Sequence, residues 1–387
     1  FAIAYNGNLV NSGELRNEFE QDGEIFSTTT DTEIVAATIV HEFRKSEKIE
    51  EAIIHCLHVL RGSYSVILML DGTLYAFRDP MGIKPLCIGT TENGFVVASE
   101  SVAIDSLGGT LARDVYPGEL FRITEKGFEA MQIAVADRKA HCIFEYIYFA
   151  RADSVVEGRL VYDVRRKIGA SLYDEAPVRA DLVSPVPDSG TSVAIGFSHH
   201  SGTPYLEALM KNRYTARTFI KPSQAERELA VRLKLNPIIG HIDGKKVVLV
   251  DDSIVRGTTS RHIVELMKES GASEVHIRIG SPQIIAPCYL GVDMPTREEL
   301  IASTRPVSEV KASIAATSLH HVSLEALVKA IGIDRENLCT GCLTGKYPLS
   351  IEGESCLSRS IDFVVGSYQA KLGSFPPDRT PARSGEN

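Results

Sequence analysis

Two adjacent carboxylates, Asp251 and Asp252, stand between an apolar run and a stretch of glycine and hydroxyls in KKVVLVDDSIVRGTTSRHIVELMKESG, residues 245–271. Carboxylates suit a divalent cation or the hydroxyls of a ribose. The residues that follow suit the opposite charge. Gly257 lets the backbone approach a ligand, Thr258, Thr259 and Ser260 offer hydroxyls, and the unpaired N–H groups of a helix start favour an anion. With Arg256 beside them, acids and anion cradle together point to a sugar phosphate accompanied by Mg²⁺. The stretch is not a Walker A loop, because no Gly-Lys-Ser/Thr follows, and no G-x-G-x-x-G is present. A lone acid here would read as the solvated flank of a helix cap; the whole strand, acid pair, loop and helix array favours the binding site.

The same logic recurs upstream in DLVSPVPDSGTSVAIGF, residues 181–197. A short strand over Leu182–Val186, a hydroxyl-rich loop Asp188-Ser189-Gly190-Thr191-Ser192 and an apolar helix make a second anion cradle. Two cradles on one sheet edge imply a substrate with phosphate at both ends. Alone, this loop would be only an N-cap. Downstream, LMKNRYTARTFIKPSQAER carries Lys211, Arg213, Arg217, Lys221 and Arg227, a basic stretch suited to a lid over pyrophosphate or, equally, to a solvated surface loop.

Seven cysteines in a large chain where no secretion leader is visible read as thiols or metal ligands more readily than as a disulfide framework. Cys56 and Cys87 lie in apolar stretches and read as small buried thiols. Cys339 and Cys342 form a C-x₂-C pair, with Cys142 and Cys288 far away in sequence. Such a set can close a tetrahedral Zn²⁺ site or hold a [4Fe–4S] cluster, and spacing does not choose between them. Cys356 is unassigned.

These groups need elements to hold them. Val247 to Val250 is the continuous apolar run of a central parallel strand, and Ile263, Val264, Leu266 and Met267 mark one side of the helix after it, with Gly271 as its stop. From about residue 160 the rhythm is strand, small-residue loop, helix, strand, as in a parallel α/β sheet. Residues 1–135 differ. They carry short alternating stretches (YSVILML, TLYAFRD, GFVVASE, ELFRIT) and helical patterns near 32–46 and 50–60, a mixed α and antiparallel β pattern. The boundary is expected within 136–160. The closing GSYQAKLGSFPPDRTPARSGEN lacks periodicity and reads as a mobile tail. The chain opens FAIAYNGNLV, an alternating strand running into a turn or backbone-defined site at Asn6-Gly7-Asn8. A strand needs a ladder partner, so further sequence is expected before Phe1.

With 387 residues, two cores are the sensible prior, and 44% hydrophobic and 24% charged residues describe an ordinary globular protein. A net charge of −9, from 50 acids and 41 bases, disfavours nucleic acid or an anionic membrane as partner, so an anionic substrate must be bound by local geometry. No apolar run reaches the length of a membrane span, and the expected location is the cytoplasm.

VVLVDDSIVRGTTS resembles the type I phosphoribosyltransferase signature. Together with VPDSGTS, KNRY..RTFI.PSQ, GVDMPTREELIAS, CTGC.TGKYP and, in the first half, YNGNLVN, TTTDTE, RGSYSV, FRDPMGIKPL and VVASES, it is similar to the glutamine phosphoribosylpyrophosphate amidotransferase family. The resemblance covers nearly everything before the tail. It implies a partial α+β N-terminal-nucleophile glutaminase domain over residues 1–140, an α/β phosphoribosyltransferase domain with cluster-binding segments over 141–350, and a C-terminal segment and tail over 351–387. It implies transfer of ammonia from glutamine to phosphoribosyl pyrophosphate, giving phosphoribosylamine at the start of purine synthesis.

By the same resemblance Asn6 and Gly7 match an oxyanion hole and Asp31 the acid that holds the substrate amino group, while the nucleophilic Cys matches sequence before Phe1, so glutaminase chemistry is not expected of the chain as given. Without the resemblance, Asn-Gly would read first as a hairpin turn. Asp251, Asp252 and Ser189 would reach Mg²⁺; Arg256, Gly257, Thr258, Thr259 and Ser260 would bind the ribose phosphate; Arg217 and Lys221 would close over pyrophosphate. Cys142, Cys288, Cys339 and Cys342 match the [4Fe–4S] ligands of one subgroup. Purine nucleotide effectors and a homotetramer are implied as partners. The sequence departs from the family at FSHHSGTPY, with His199 and His200, at Ala152 in place of a Pro, and at Val102 in place of a Cys. A salvage phosphoribosyltransferase is disfavoured by YNGN, TTTDTE and the cysteines. A non-catalytic sensor is disfavoured by intact acids and the lack of a DNA-binding pattern.

Overall fold

The computed structural model describes residues 1–212, 235–294, 296–351, 354–356 and 361–369. In the first half, β1 (Ala2–Leu9), β2 (Gly62–Leu70), β3 (Thr73–Arg78), β7 (Glu119–Thr124) and β8 (Gly127–Ala136) form an antiparallel sheet, in the order β1-β2-β3-β7-β8. A smaller sheet of β4 (Cys87–Thr91), β5 (Gly94–Ala98) and β6 (Thr110–Asp114) runs in the order β5-β4-β6. The period of two sorts the side chains by layer. Tyr64, Val66, Leu68, Tyr75 and Phe77 pack with α1 (Ser12–Gln21), α2 (Asp31–Ser46) and α3 (Ile49–Val59), whereas Ile67, Leu74 and Ala76 pack with Ile88 and Val97 of the small sheet. Helices, large sheet and small sheet thus make three layers with a core on each side of the large sheet.

The helix α2 shows why these residues form these elements. Ile34, Val35, Thr38 and Ile39 are its buried stripe, Asp31 and Glu33 occupy the first turn and Arg44 and Lys45 the last, each charge set against the matching pole of the helix dipole. The expected helices near 32–46 and 50–60 are α2 and α3.

After β8 come β9 (His141–Cys142), a π-helical turn at Glu145–Phe149, and a hairpin of β10 (Val155–Val156) with β11 (Arg159–Leu160), leading into α5 (Val161–Glu175), numbered after α4 (Ser101–Ser106). A four-stranded parallel sheet follows, made of β12 (Leu182–Pro185), β15 (Lys246–Asp251), β16 (Glu274–Ile279) and β17 (Ser318–His321), in the order β12-β15-β16-β17. A separate two-stranded ribbon pairs β13 (Leu209–Lys211) with β14 (Leu235–Pro237). Val248 and Val250 face α5 and α6 (Thr191–Ser201), while Val247 and Leu249 face α7 (Thr258–Glu269). Apolar side chains on both faces explain the unbroken run in the sequence.

Two expectations are corrected. Asn6, Gly7 and Asn8 are not a turn, because β1 continues through them to Leu9, with Gly7 opposite Tyr64 of β2. The tail was expected from Gly366, but Ile361–Gln369 is a strand that pairs antiparallel with β8, and Gly366 to Gln369 belong to it. The outer edge of β8 offers unpaired ladder groups, and backbone pairing there needs no apolar periodicity. Residues 370–387 lie outside the described residues.

The halves meet closely. The Ala140 N–H donates to Met81 and the Cys142 N–H to Ile83, while Arg78, buried in the first half, pairs with Glu157 at 2.7 Å. Met81 and Ile83 join the same apolar cluster as Ile143, Ile147, Val164 and Val250, so one core runs from the junction into the parallel sheet.

Candidate functional site

At the carboxyl end of β15 the chain opens a cleft of ≈ 530 Å³. Its walls include Ser189 and the whole run from Asp251 to Ser260. Open α/β sheets bind ligands at this edge. Both predicted cradles therefore face one space. Gly190, just before α6, lies so close to β15 that a Cβ would sit 2.2 Å from the Val250 carbonyl oxygen. That approach brings the Ser189 hydroxyl onto the Asp252 carboxylate as a donor. Gly257 caps α7 with φ of +76°, a left-handed conformation that glycine adopts without strain. Thr258 and Thr259 follow in the first turn, exposed to the cleft, and Ser260 turns inward.

The acid pair is electrostatically strained. Burial pushes the Asp251 carboxyl well above the usual carboxylate range, and the neighbouring Asp252 charge adds to it. Burial also raises Asp252, although hydrogen bonds from Ser189 and Ser253 and the charge of Arg165 oppose the shift. Two crowded carboxylates with a hydroxyl at a polar cleft are a donor set that a hard divalent cation relieves, so these residues fit Mg²⁺. Arg256 lines the cleft too, and its guanidinium pairs with Glu299. Lys211 pairs with Asp188 of the first cradle. Arg217 and Lys221, with Arg213 and Arg227, lie outside the described residues. His199 and His200 sit on the last turn of α6, away from the cleft lining, where His200 meets Asp174 at 2.7 Å.

Several lining groups were not among the expected site residues. Phe144, Tyr148 and Phe149, around the π-helical turn, form an aromatic wall, with Tyr148 and Phe149 still 51% and 40% exposed. Buried Arg165 of α5 braces that turn by donating to the Tyr146 and Ala150 carbonyls at 2.9 and 2.8 Å. Val292, Asp293 and Met294 complete the lining. The segment 288–294 does more than line: Gly291 lies against Gly7, so close that a Cβ would be 3.0 Å from the Gly7 carbonyl carbon. Beside it the Asn8 amide donates to Tyr289 at 3.0 Å and the Ser63 hydroxyl to Leu290 at 2.9 Å.

The strand residues expected at a glutamine site lie at this contact. The Asp31 carboxylate accepts from the Leu9 N–H at 2.7 Å and from the Tyr5 hydroxyl at 3.3 Å, reaching β1 from the helical side. Asn6 points to the other face, where its amide donates to the Ser99 hydroxyl at 3.4 Å.

The four cysteines of the metal expectation also come together at the junction. Cys339, in the two-residue strand β18 (Leu338–Cys339), stands directly opposite Cys142 of β9. The Cys342 carbonyl accepts from Ile285 and Ala286, which holds the C-x₂-C turn beside the segment carrying Cys288. All are thiols. Burial, with smaller pushes from Glu145 and Cys288, takes Cys142 up to about 12 against the pull of the Lys84 ammonium; burial raises Cys339 and Cys342 as well, each also pushed by the other cysteines. Among the described residues no group of His, Cys, Asp or Glu closes around a single ion. Cys142 and Cys342 are buried and Cys288 and Cys339 half-buried, and thiols are the donors an iron–sulfur cluster takes. Cys56 and Cys87 are buried elsewhere, as expected, and Cys356 is exposed.

A model of a glutamine amidotransferase domain matches residues 1–106. The amidophosphoribosyltransferase of Archaeoglobus fulgidus is 50% identical over 357 residues, spanning 92% of this chain and 78% of that protein. The chain belongs to the amidophosphoribosyltransferase family. Its relatives include the amidophosphoribosyltransferase of Bacillus subtilis, 44% identical across 94% of this chain and 77% of that protein. The solved glutamine phosphoribosylpyrophosphate amidotransferase of B. subtilis, complexed with ADP and GMP, superposes with a TM-score of 0.85 over 92% of this chain and 79% of that one. Family membership places a glutaminase-type domain before a phosphoribosyltransferase-type domain, the order the two sheets display. Among the described residues no helix is long and apolar enough to cross a membrane.

Proposed function

We propose that the cleft below Asp251 and Asp252 is where ammonia displaces pyrophosphate from phosphoribosyl pyrophosphate, the second half of the amidophosphoribosyltransferase reaction, which yields phosphoribosylamine, pyrophosphate and glutamate. The observation that carries this reading is the convergence of Ser189 and residues 251–260 on one cleft, in a chain of this family. The ammonia nitrogen attacks the anomeric carbon, the bond to the pyrophosphate oxygen breaks with its electron pair, and the nitrogen sheds a proton to solvent. Gly257, Thr258, Thr259 and Ser260 cradle the 5-phosphate at the start of α7. Ser189, Asp251 and Asp252 would hold Mg²⁺, which when bound neutralises charge on the departing pyrophosphate. Arg256 belongs with the 5-phosphate cradle, and Arg217 and Lys221 belong to the pyrophosphate end as lid residues that exclude water.

Asn6 and Gly7 serve as an oxyanion hole and Asp31 as the substrate-amino acceptor at the glutamine end. Cys142, Cys288, Cys339 and Cys342 hold a [4Fe–4S] cluster. Purine nucleotides act as effectors of a cytoplasmic homotetramer. The test is direct: mix the chain with ammonium, phosphoribosyl pyrophosphate and Mg²⁺ and follow pyrophosphate. Release that requires both ammonium and Mg²⁺ is expected; release driven equally by a purine base, or none, overturns the reading.

A further inference from the structure

Lys84 is an outlier among the buried groups. Its side chain is 2% exposed, and among the described residues its ammonium has a single hydrogen-bond acceptor, Glu145 Oε1, at a long 3.5 Å. Beyond that it lies over the Phe149 ring, 5.0 Å from the centroid. An ammonium has three donors, and burying one with so little return is costly unless further negative charge lies close by. The surrounding chain says where that charge is. The residue before Lys84 accepts the Cys142 N–H, and Glu145 lies three residues after Cys142, at the start of the π-helical turn. On the other side a Cβ on Gly291 would come within 2.9 Å of Lys84 Cε, and Gly291 is three residues past Cys288, whose sulfur accepts the Leu290 N–H at 3.3 Å. Lys84 thus threads between the two chain segments that bring Cys142 and Cys288 to the four-thiol pocket, and both thiols are within its electrostatic reach.

We propose that Lys84 is a positioning residue whose fixed ammonium, trimmed by Glu145, is the counter-charge of the four-cysteine pocket and sets the stability and potential of what the thiolates hold. This rests on the cluster reading of those cysteines. Four thiolates and an iron–sulfur core carry net negative charge, and charge near such a core tunes its potential. The ammonium favours the reduced, more negative level, and the Glu145 carboxylate opposes it.

Anaerobic reconstitution of the full chain with Fe²⁺ and sulfide, followed by potentiometric titration of the visible and electron-paramagnetic signals, tests this. Wild type is expected to take up iron. Lys84→Met should shift the midpoint to more negative potential and speed iron loss under air, Lys84→Arg should restore both, and Glu145→Gln should shift the midpoint the opposite way. Opposed shifts are the deciding feature, because mere loosening of the junction would move both variants alike. If Lys84→Met does not fold, Glu145→Gln still gives a sign against wild type, and a shift to more negative potential there overturns the proposal. Wild type that binds no iron overturns the cluster reading and this one with it; iron-loaded wild type with unshifted variants overturns the role of Lys84 alone.

Discussion

The acid pair puts function and stability in opposition at the level of single residues. Both folded carboxyl groups sit above the ordinary value of 3.8, so the folded chain holds their protons longer than the unfolded chain does. The sign follows from linkage: their contribution favours folding below that value and is lost as pH rises through the folded pKa values. Converting Asp251 and Asp252 to Asn removes the repulsion and nearly keeps the shape. The metal-free double variant is therefore expected to melt at or above the wild-type temperature at neutral pH, with a weaker fall in stability as pH rises from 4. Turnover should move the other way. A metal-held charge is worth several kcal/mol in the transition state, so loss on the order of 10²-fold or more is expected with saturating phosphoribosyl pyrophosphate and Mg²⁺. Calorimetry and pyrophosphate release on the same samples check both halves. Unchanged turnover would remove these acids from the site.

Helix α6 separates what positions the cleft from what only ends an element. Gly190 stands at its start, where a Cβ would meet the Val250 carbonyl, a backbone atom of the central strand already holding the Val186 N–H at 2.8 Å. Gly190→Ala must push the loop from β15 and draw Ser189 off Asp252. The expected result is a KM for phosphoribosyl pyrophosphate raised at least roughly tenfold, ~1.4 kcal/mol of lost binding, with a lowered melting temperature. Gly202 ends the same helix at φ of +71° with open space around it. Gly202→Ala should cost only the left-handed backbone, about 1–2 kcal/mol of stability, and leave KM unchanged. Equal KM effects would detach the loop from the ligand. This scale also shows what was legible in the sequence. The apolar run of β15, the acid pair and the Gly-hydroxyl loops are local patterns, and they lie where the sequence puts them. Cys288 and GVDMPTREELIAS were singled out in the sequence, but the bracing by Arg165 and the contact of Gly291 with Gly7 were not legible, because each acts through a partner more than ten residues away. Ile361–Gln369 escaped because its ladder partner is β8, over 200 residues earlier.

Across the whole molecule the junction joins everything else. Cys142 lies in β9 just past the first sheet, Cys288 is next to Tyr289, which meets β1, and Cys339 and Cys342 close the second half, so a cluster shared by them would tie segments that the chain itself leaves far apart. The free energy of such binding is in part folding free energy. Protein purified without oxygen is expected to be brown, with about four iron and four sulfide per chain for a cubane core. Cys339→Ser should abolish the colour and speed proteolysis at the junction, because the β9–β18 pairing is only two residues long and loses its covalent support. Cys356→Ser should do neither, since that thiol is exposed and has no place in the pocket. Iron and acid-labile sulfide assays, with limited proteolysis of each variant under argon and after air, read the outcome. Stoichiometric zinc with no iron in the anaerobic protein would overturn the cluster while leaving the phosphoribosyl cleft intact, because Asp251, Asp252 and the α7 loop share no ligand with the four cysteines.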